Sequence, residues 1–150
     1  MLAGKAFLAI ACGPVRVHNE GPLLQAIFER PSHKPLITVL NHASTVDDPL
    51  VWAALLPLGR TLLHLPRARW SLGAEELTFT NPLTSWFFGN GRVIGIRRGE
   101  GIWQRGMDVA IDLLNRGHWI SVFPEGRVIQ ISERLQMARL RWGIGRLIME

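Results

Sequence analysis

LITVLNHASTVDDP, residues 36–49, is the stretch that decides the fold. Its first five residues are apolar and rich in β-branched side chains, as strands buried on both faces of a parallel sheet are. The polar loop that follows ends at Asp48-Pro49. Asp is a good N-cap and Pro suits the first helical position, so a helix is expected to open there and run to about residue 56. A strand feeding a helix through a polar loop is the repeating unit of an α/β fold.

The alternation continues outward. Residues 60–65, ended by Pro66, and residues 93–96 read as further strands, and WISVF at 119–123, stopped by Pro124, as another buried one. Short helices are expected at 75–79 and 83–88, separated by Asn81-Pro82. The clearest helix is 102–115, which sets Met107, Ala110, Ile111 and Leu114 on one face. Gly117 follows where a helix end favours a left-handed residue. Residues 132–150 read as helical, with a basic side from Arg134, Arg139, Arg141 and Arg146. Residues 1–18 carry only Lys5 and Arg16 as fixed charges and lack a clear cleavage site, so a first strand or a short interfacial segment is expected there rather than a signal peptide. With no repeat or dividing linker, residues 1–150 read as one domain, a mostly parallel sheet flanked by helices.

Composition narrows the function classes. The apolar fraction of 47% suits a globular core. Seventeen Lys and Arg against twelve Asp and Glu give a net charge of +5, which favours phosphate-bearing partners. A nucleic-acid partner is not expected, because the chain has neither an aromatic-basic RNP block nor a helix-turn-helix signature. A single cysteine rules out an intrachain disulfide and a cysteine-built zinc site. Cys12 has no neighbouring base and is expected to be buried and inert. No run reaches the roughly 18 apolar residues of a membrane span; the longest uncharged stretches are 6–15 and 49–59. The second of these reads equally as a core helix or an interfacial one. The chain has six Trp and no Tyr. Trp suits a membrane interface, but most of the six are expected in the core.

Chemistry in parallel sheets gathers beyond the carboxyl ends of the strands. Three polar loops, NHASTVDD, GIRRGEG and FPEGR, are expected to converge there. His42 stands five residues before Asp47. A carboxylate on one imidazole nitrogen fixes the tautomer and leaves the other nitrogen as a base near neutral pH. Asp48 is the rival carboxylate; its place before Pro49 suits a helix cap, which makes Asp47 the preferred partner of His42. Ser44 and Thr45 lie outside any G-x-S-x-G elbow and read as loop hydrogen-bonding residues. Arg97-Arg98-Gly99-Glu100-Gly101 precedes a helix, where backbone N–H groups and guanidinium forks suit a phosphate; a solvated basic turn is the competing reading. Glu125, Gly126 and Arg127 are suited to orienting a polar head group or the catalytic loop. No G-x-G-x-x-G or G-x-x-x-x-G-K-[ST] occurs, which removes dinucleotide and P-loop readings. His18, His33, His64 and His118 have no metal-ligand spacing, and no metal site is expected.

Taken together and in this order, NHASTVDDP, GRVIGIRRGEG and FPEGR resemble the H-x-x-x-x-D, glycine/arginine and F-P-E-G blocks of the glycerol-phosphate and lysophospholipid acyltransferases. The likeness runs from about residue 17 to 150. RRGEGIWQRGMD and RWGIGRLIME bring it closest to the mitochondrial branch that moves acyl chains between phospholipids and lysophospholipids. The resemblance implies that His42 is the general base and Asp47 its orienting partner. It implies that Arg98, with Gly99 and Gly101, holds the phosphate, and that Glu125, Gly126 and Arg127 complete the substrate site. It further implies no metal or prosthetic group, transfer without acyl-CoA in remodelling of cardiolipin, and phospholipid and lysophospholipid as substrates. A monotopic seat on a mitochondrial membrane, facing the intermembrane space, goes with these. Members of that family continue beyond the position of Glu150, so the sheet is expected to be incomplete on its C-terminal side. The residues after FPEGR, VIQISERLQMARL, also depart from the Ser-rich turn of that branch. A catalytically impaired lipid- or membrane-binding form of the same family is therefore the second reading.

Overall fold

The computed structural model describes residues 2–12, 14–129 and 140–150. The chain divides into two compact units, Met1–Pro31 with Ser44–Ala68, and Ser32–Ala43 with Arg69–Glu150.

The first unit is helical: α1 (Leu2–Ala11), α2 (Gly21–Phe28), α3 (Asp47–Leu55) and α4 (Leu58–Leu63), with a 3₁₀ turn at Leu65–Arg67. Of the two readings for residues 1–18, a strand or a short interfacial segment, the strand is not formed: residues 2–11 are a helix, because LAGKAFLAIA is rich in Ala and Leu and holds a single β-branched residue. A Cβ on Gly4 would stand 2.9 Å from the Ala53 Cβ, so α1 lies close on α3. Lys5 Nζ donates to the Ala53 carbonyl at 2.7 Å, satisfying an acceptor that the end of α3 leaves over. No residue of α1 is buried, and Cys12 just beyond it is exposed, contrary to expectation.

Helix α2 was not foreseen; it starts on Gly21-Pro22 and buries Ile27 and Phe28. Helix α3 buries Trp52 and Ala53, and Leu56 follows them inward, so the apolar stretch 49–59 supplies core to this unit. Asp48 does not cap α3. Asp47 N–H donates to the Ser44 carbonyl at 3.1 Å, and Asp47 Oδ2 accepts the Ser44 N–H at 2.7 Å. That reciprocal turn starts the helix one residue early and puts both aspartates in its first turn, where the helix dipole favours them. Residues 60–65 are not a strand either. Thr61 is their only β-branched residue, and its hydroxyl bonds the Pro57 carbonyl at 2.9 Å within a helical turn.

The second unit holds the expected parallel sheet: β1 (Leu36–Val39), β2 (Trp70–Ala74), β3 (Val93–Ile96) and β4 (Trp119–Val122), in the order β1-β4-β2-β3. All three pairings are parallel. Strand β2 was missed in the sequence. Between the strands run α5 (Glu75–Thr78), α6 (Pro82–Asn90) and α7 (Arg105–Asn115), and α8 (Gly143–Met149) follows. Residues 132–139 of the expected C-terminal helix, with Arg134 and Arg139, lie outside the described residues.

Ile37, Ile120, Val122, Leu72 and Ile94 pack on Met107, Ala110 and Leu114 of α7 and on Leu147 of α8. Thr38 and Ser71 flank Ser121 in register and are buried with it; Thr38 Oγ1 accepts the Trp119 indole N–H at 2.9 Å. Helix α6 opens on a reciprocal cap: Asn81 Oδ1 accepts the Thr84 N–H and Thr84 Oγ1 accepts the Asn81 N–H. Helix α7 begins at Arg105 rather than 102, because residues 97–104 form a closed loop through Gly99 and Gly101, both at positive φ. Gly117 ends it at φ 80°. Of the six Trp, Trp52 and Trp119 are buried, Trp70 is half-buried, and Trp86, Trp103 and Trp142 are exposed, so fewer are core than expected. No helix among the described residues is long and apolar enough to cross a membrane.

The first turn of α7 lies directly on β3: a Cβ on Gly106 would overlap the Gly95 carbonyl oxygen and stand 2.8 Å from Ile96 Cδ1. Gly145 in α8 has open space around it. Gly106→Ala should therefore destabilise the fold by about 1–3 kcal/mol. Gly145→Ala should leave it unchanged or gain up to about 1 kcal/mol from helix propensity. Urea unfolding followed by circular dichroism measures both; equal effects would refute the close α7–β3 approach.

Candidate active site

The order β1-β4-β2-β3 makes the loops after β1 and β4 neighbours at the carboxyl edge of the sheet. Pairing runs one residue beyond the strands, with the Leu40 N–H donating to the Val122 carbonyl at 3.0 Å. Pro124 then stops β4, having no N–H to give the ladder. Phe123 to Gly126 close a tight turn, in which the Gly126 N–H donates to the Phe123 carbonyl at 3.1 Å. Gly126 sits at φ 68°, a conformation in which a Cβ is strained. A Cβ there would also stand 3.3 Å from Arg141 Cγ. The Arg141 N–H donates to the Pro124 carbonyl at 2.7 Å and ties the turn from its other side.

This turn carries Glu125 inward, to 5% exposure. A carboxylate taken out of water requires donors, and the β1 loop provides them. Glu125 Oε2 accepts the backbone N–H of His42 at 2.6 Å. Glu125 Oε1 accepts the Asn41 side-chain amide at 3.3 Å. From the far side of the same loop, the Ile129 N–H donates to the His42 carbonyl at 2.7 Å. The imidazole of His42 stacks on the Phe123 ring, with centroids 4.4 Å apart and an interplanar angle of 28°. Both peptide groups of His42 and one face of its ring are therefore held by residues 123–129. Arg127 follows Gly126 and is exposed.

The third loop stands elsewhere on the same edge. Strand β3 is three strand spacings from β1, or roughly 14 Å, so Arg98, Gly99 and Gly101 are not gathered against His42. Gln104 closes their loop: its Oε1 accepts the Arg97 N–H at 2.8 Å, and its Nε2 donates to the carbonyls of Arg97 at 3.1 Å and Gly101 at 2.6 Å. Arg97 pairs with Glu75 at 2.9 Å and Glu100 at 3.5 Å, and Arg98 pairs with Glu76. The backbone N–H of Glu76 and then the Arg98 guanidinium hold the Glu76 carboxyl below its usual range. An open groove of about 560 Å³ runs along β3, lined among others by Glu75, Phe79, Arg97 and Gln104. It belongs to this charged loop and not to the surroundings of His42. Asp47 opens α3 in the first unit. Among the described residues no group of three or more His, Cys, Asp or Glu is placed to hold a metal ion.

Asn41, Phe123, Ile129 and Gln104 were not singled out from the sequence. Asn41 and Phe123 lie inside the quoted motifs, whereas Ile129 acts through its backbone and leaves no side-chain signal.

A family model described as acyltransferase matches residues 14–150. The chain is 43% identical over 141 residues to the N-acylphosphatidylethanolamine synthase of Arabidopsis thaliana, which covers 94% of this chain and 48% of that protein. It is 45% identical over 135 residues to the tafazzin of Drosophila melanogaster, with 90% and 34% covered. Against the taffazin of Dictyostelium discoideum the identity is 47% over 117 residues, with 78% and 39% covered. The chain thus spans about a third to a half of the length of these relatives. No solved structure matches it. The family match runs through both compact units and through all three motif loops; the chain belongs to the acyltransferase family.

Proposed function

We propose that this chain carries the acyl-transfer chemistry of a phospholipid–lysophospholipid transacylase, with His42 as general base and Asp47 as the carboxylate that orients it. The observation that carries the reading is the grip of residues 123–129 on His42, which joins two of the family's motif loops at the carboxyl edge of a parallel sheet. A base fixed at both of its peptide groups meets the positional demand of proton transfer at a reacting hydroxyl.

In this mechanism the imidazole of His42 takes the proton of a lysophospholipid hydroxyl as the oxygen attacks the ester carbonyl of a donor phospholipid. A tetrahedral oxyanion forms, and backbone N–H groups are suited to stabilise it. Its collapse breaks the donor's ester C–O bond, and the departing glyceryl oxygen takes the proton back from His42. Acyl chain and proton are conserved through the cycle, and no acyl-CoA enters it. Arg98, with Gly99 and Gly101, serves the phosphate of one lipid, a phosphate oxygen replacing the exposed Glu76 carboxylate as partner. Gly126 and Arg127 flank the acceptor. We read residues 1–150 as part of one acyltransferase domain, because the family match is continuous across both units.

The name of the Arabidopsis relative specifies an acylated amine of phosphatidylethanolamine. That supports a second acceptor class, since the same base can take the proton of an attacking amine. Seating on the intermembrane-space side of a mitochondrial membrane rests on the resemblance to tafazzins alone. For peripheral membrane association, α6 offers a surface: Leu83, Trp86 and Phe87, at 74%, 66% and 63% exposure, share one helical face. Indole at a wet apolar boundary suits the edge of a bilayer.

Labelled acyl transfer from a phospholipid should fall by roughly 10²–10⁴ in His42→Ala, the usual contribution of a positioned base, with the circular dichroism spectrum unchanged. Equal turnover in both proteins would sink the assignment. Running lysophospholipid and phosphatidylethanolamine as parallel acceptors separates the two acceptor readings. Co-sedimentation with anionic phospholipid vesicles should drop in the Leu83→Ser/Trp86→Ser double variant; undiminished binding would remove α6 from the membrane face.

A further inference from the structure

We infer that Glu125 is a positioning residue, one that sets the His42 loop rather than touching a lipid head group. The inference rests on the acyl-transfer reading above and specifies how its base is held. Glu125 is buried to 5% exposure, and each carboxylate oxygen has its donor within the protein. Oε2 takes the His42 backbone N–H at 2.6 Å, and Oε1 takes Asn41 Nδ2 at 3.3 Å. The shorter bond goes to the main chain of the base itself, where a shift in the acceptor displaces the imidazole directly. The same loop closes on His42 from behind through the Ile129 N–H, at 2.7 Å from the His42 carbonyl. Glu125 is fixed in turn by the Phe123–Gly126 hydrogen bond and by Arg141 bonded to Pro124.

Asn41, placed immediately before the base, acquires a role from this geometry. A primary amide donates and a carboxylate only accepts, so the pair Asn41 and Glu125 is complementary in one sense only. Glu125→Gln puts an amide donor against either the His42 N–H or the Asn41 amide. Asn41→Asp sets two carboxylates face to face. In the double variant the Gln oxygen can accept the His42 N–H while its NH₂ donates to the new Asp carboxylate, and the complementarity returns with donor and acceptor exchanged.

The test measures acyl-transfer kinetics and the His42 backbone amide proton shift in the wild type, Glu125→Gln, Asn41→Asp and the double variant. A positioning role predicts that Glu125→Gln lowers kcat by roughly 100-fold, the scale of an ångström-sized misplacement, with KM for the lysophospholipid within about twofold. It also predicts an upfield move of the His42 amide proton as its charged acceptor is lost, and recovery of both readouts by at least tenfold or half the shift in the double variant. A rise in KM with kcat preserved would make Glu125 a head-group ligand and overturn the inference. So would a double variant no better than its parents, or an amide proton that does not move. Absence of transfer in the wild type would count against the acyl-transfer reading itself, while the amide shifts would still decide whether Glu125 holds the His42 loop.

Discussion

A carboxylate withdrawn from water must be given donors, and the donors available to Glu125 are the side chain of Asn41 and the backbone of His42. That requirement joins two loops separated by 83 residues of sequence. It depends on the sheet in turn. Only because β4 lies next to β1 do the ends of WISVF and LITVL open side by side. The turn that delivers Glu125 needs Pro124 to halt the ladder and Gly126 to take a positive φ. Each residue of the F-P-E-G block thus has a physical task, and the tasks meet at the main chain of His42.

The remaining motif residues are distributed. The Arg97–Arg98 loop stands at the other end of the sheet edge, closed on itself by Gln104 and paired with glutamates of α5. Exposed ion pairs are weak and screened, so the guanidinium of Arg98 can exchange partners at small cost. The Glu125 contacts are of the opposite kind, because their carboxylate is buried away from solvent. One end of the edge is built to exchange and the other to stay fixed.

Much of this was readable in the sequence for identifiable reasons. LITVL, VIGI and WISVF are continuous apolar runs with β-branched residues, and α7 repeats its apolar residues at helical spacing. Strand β2, WSLGA, carries Ser, Gly and Ala in place of a β-branched run; its strand character comes from pairing with β3 and β4 on either side. TLLHL misled because a run of leucines has no period to separate helix from strand. The boundary of α3 moved by one residue because the Ser44–Asp47 turn, a local bond pair, outweighed the capping preference of Asp48. Parallel topology put the three loops on one edge of the sheet, but the order β1-β4-β2-β3 brings only the β1 and β4 loops together. Which loop grips which could not be read, since the Ile129 N–H and the His42 carbonyl are backbone groups that any residue possesses.

Bonded on both sides of one residue, the Phe123–Ile129 loop and the His42 peptide form one mechanical element. Native-state hydrogen exchange of the His42 and Ile129 amides tests it most directly, because the two bonds lie on opposite sides of the same residue. Both amides are expected to be protected and to open together, with the same free energy and the same denaturant dependence. Independent opening, or an unprotected His42 amide beside a protected Ile129, would contradict it.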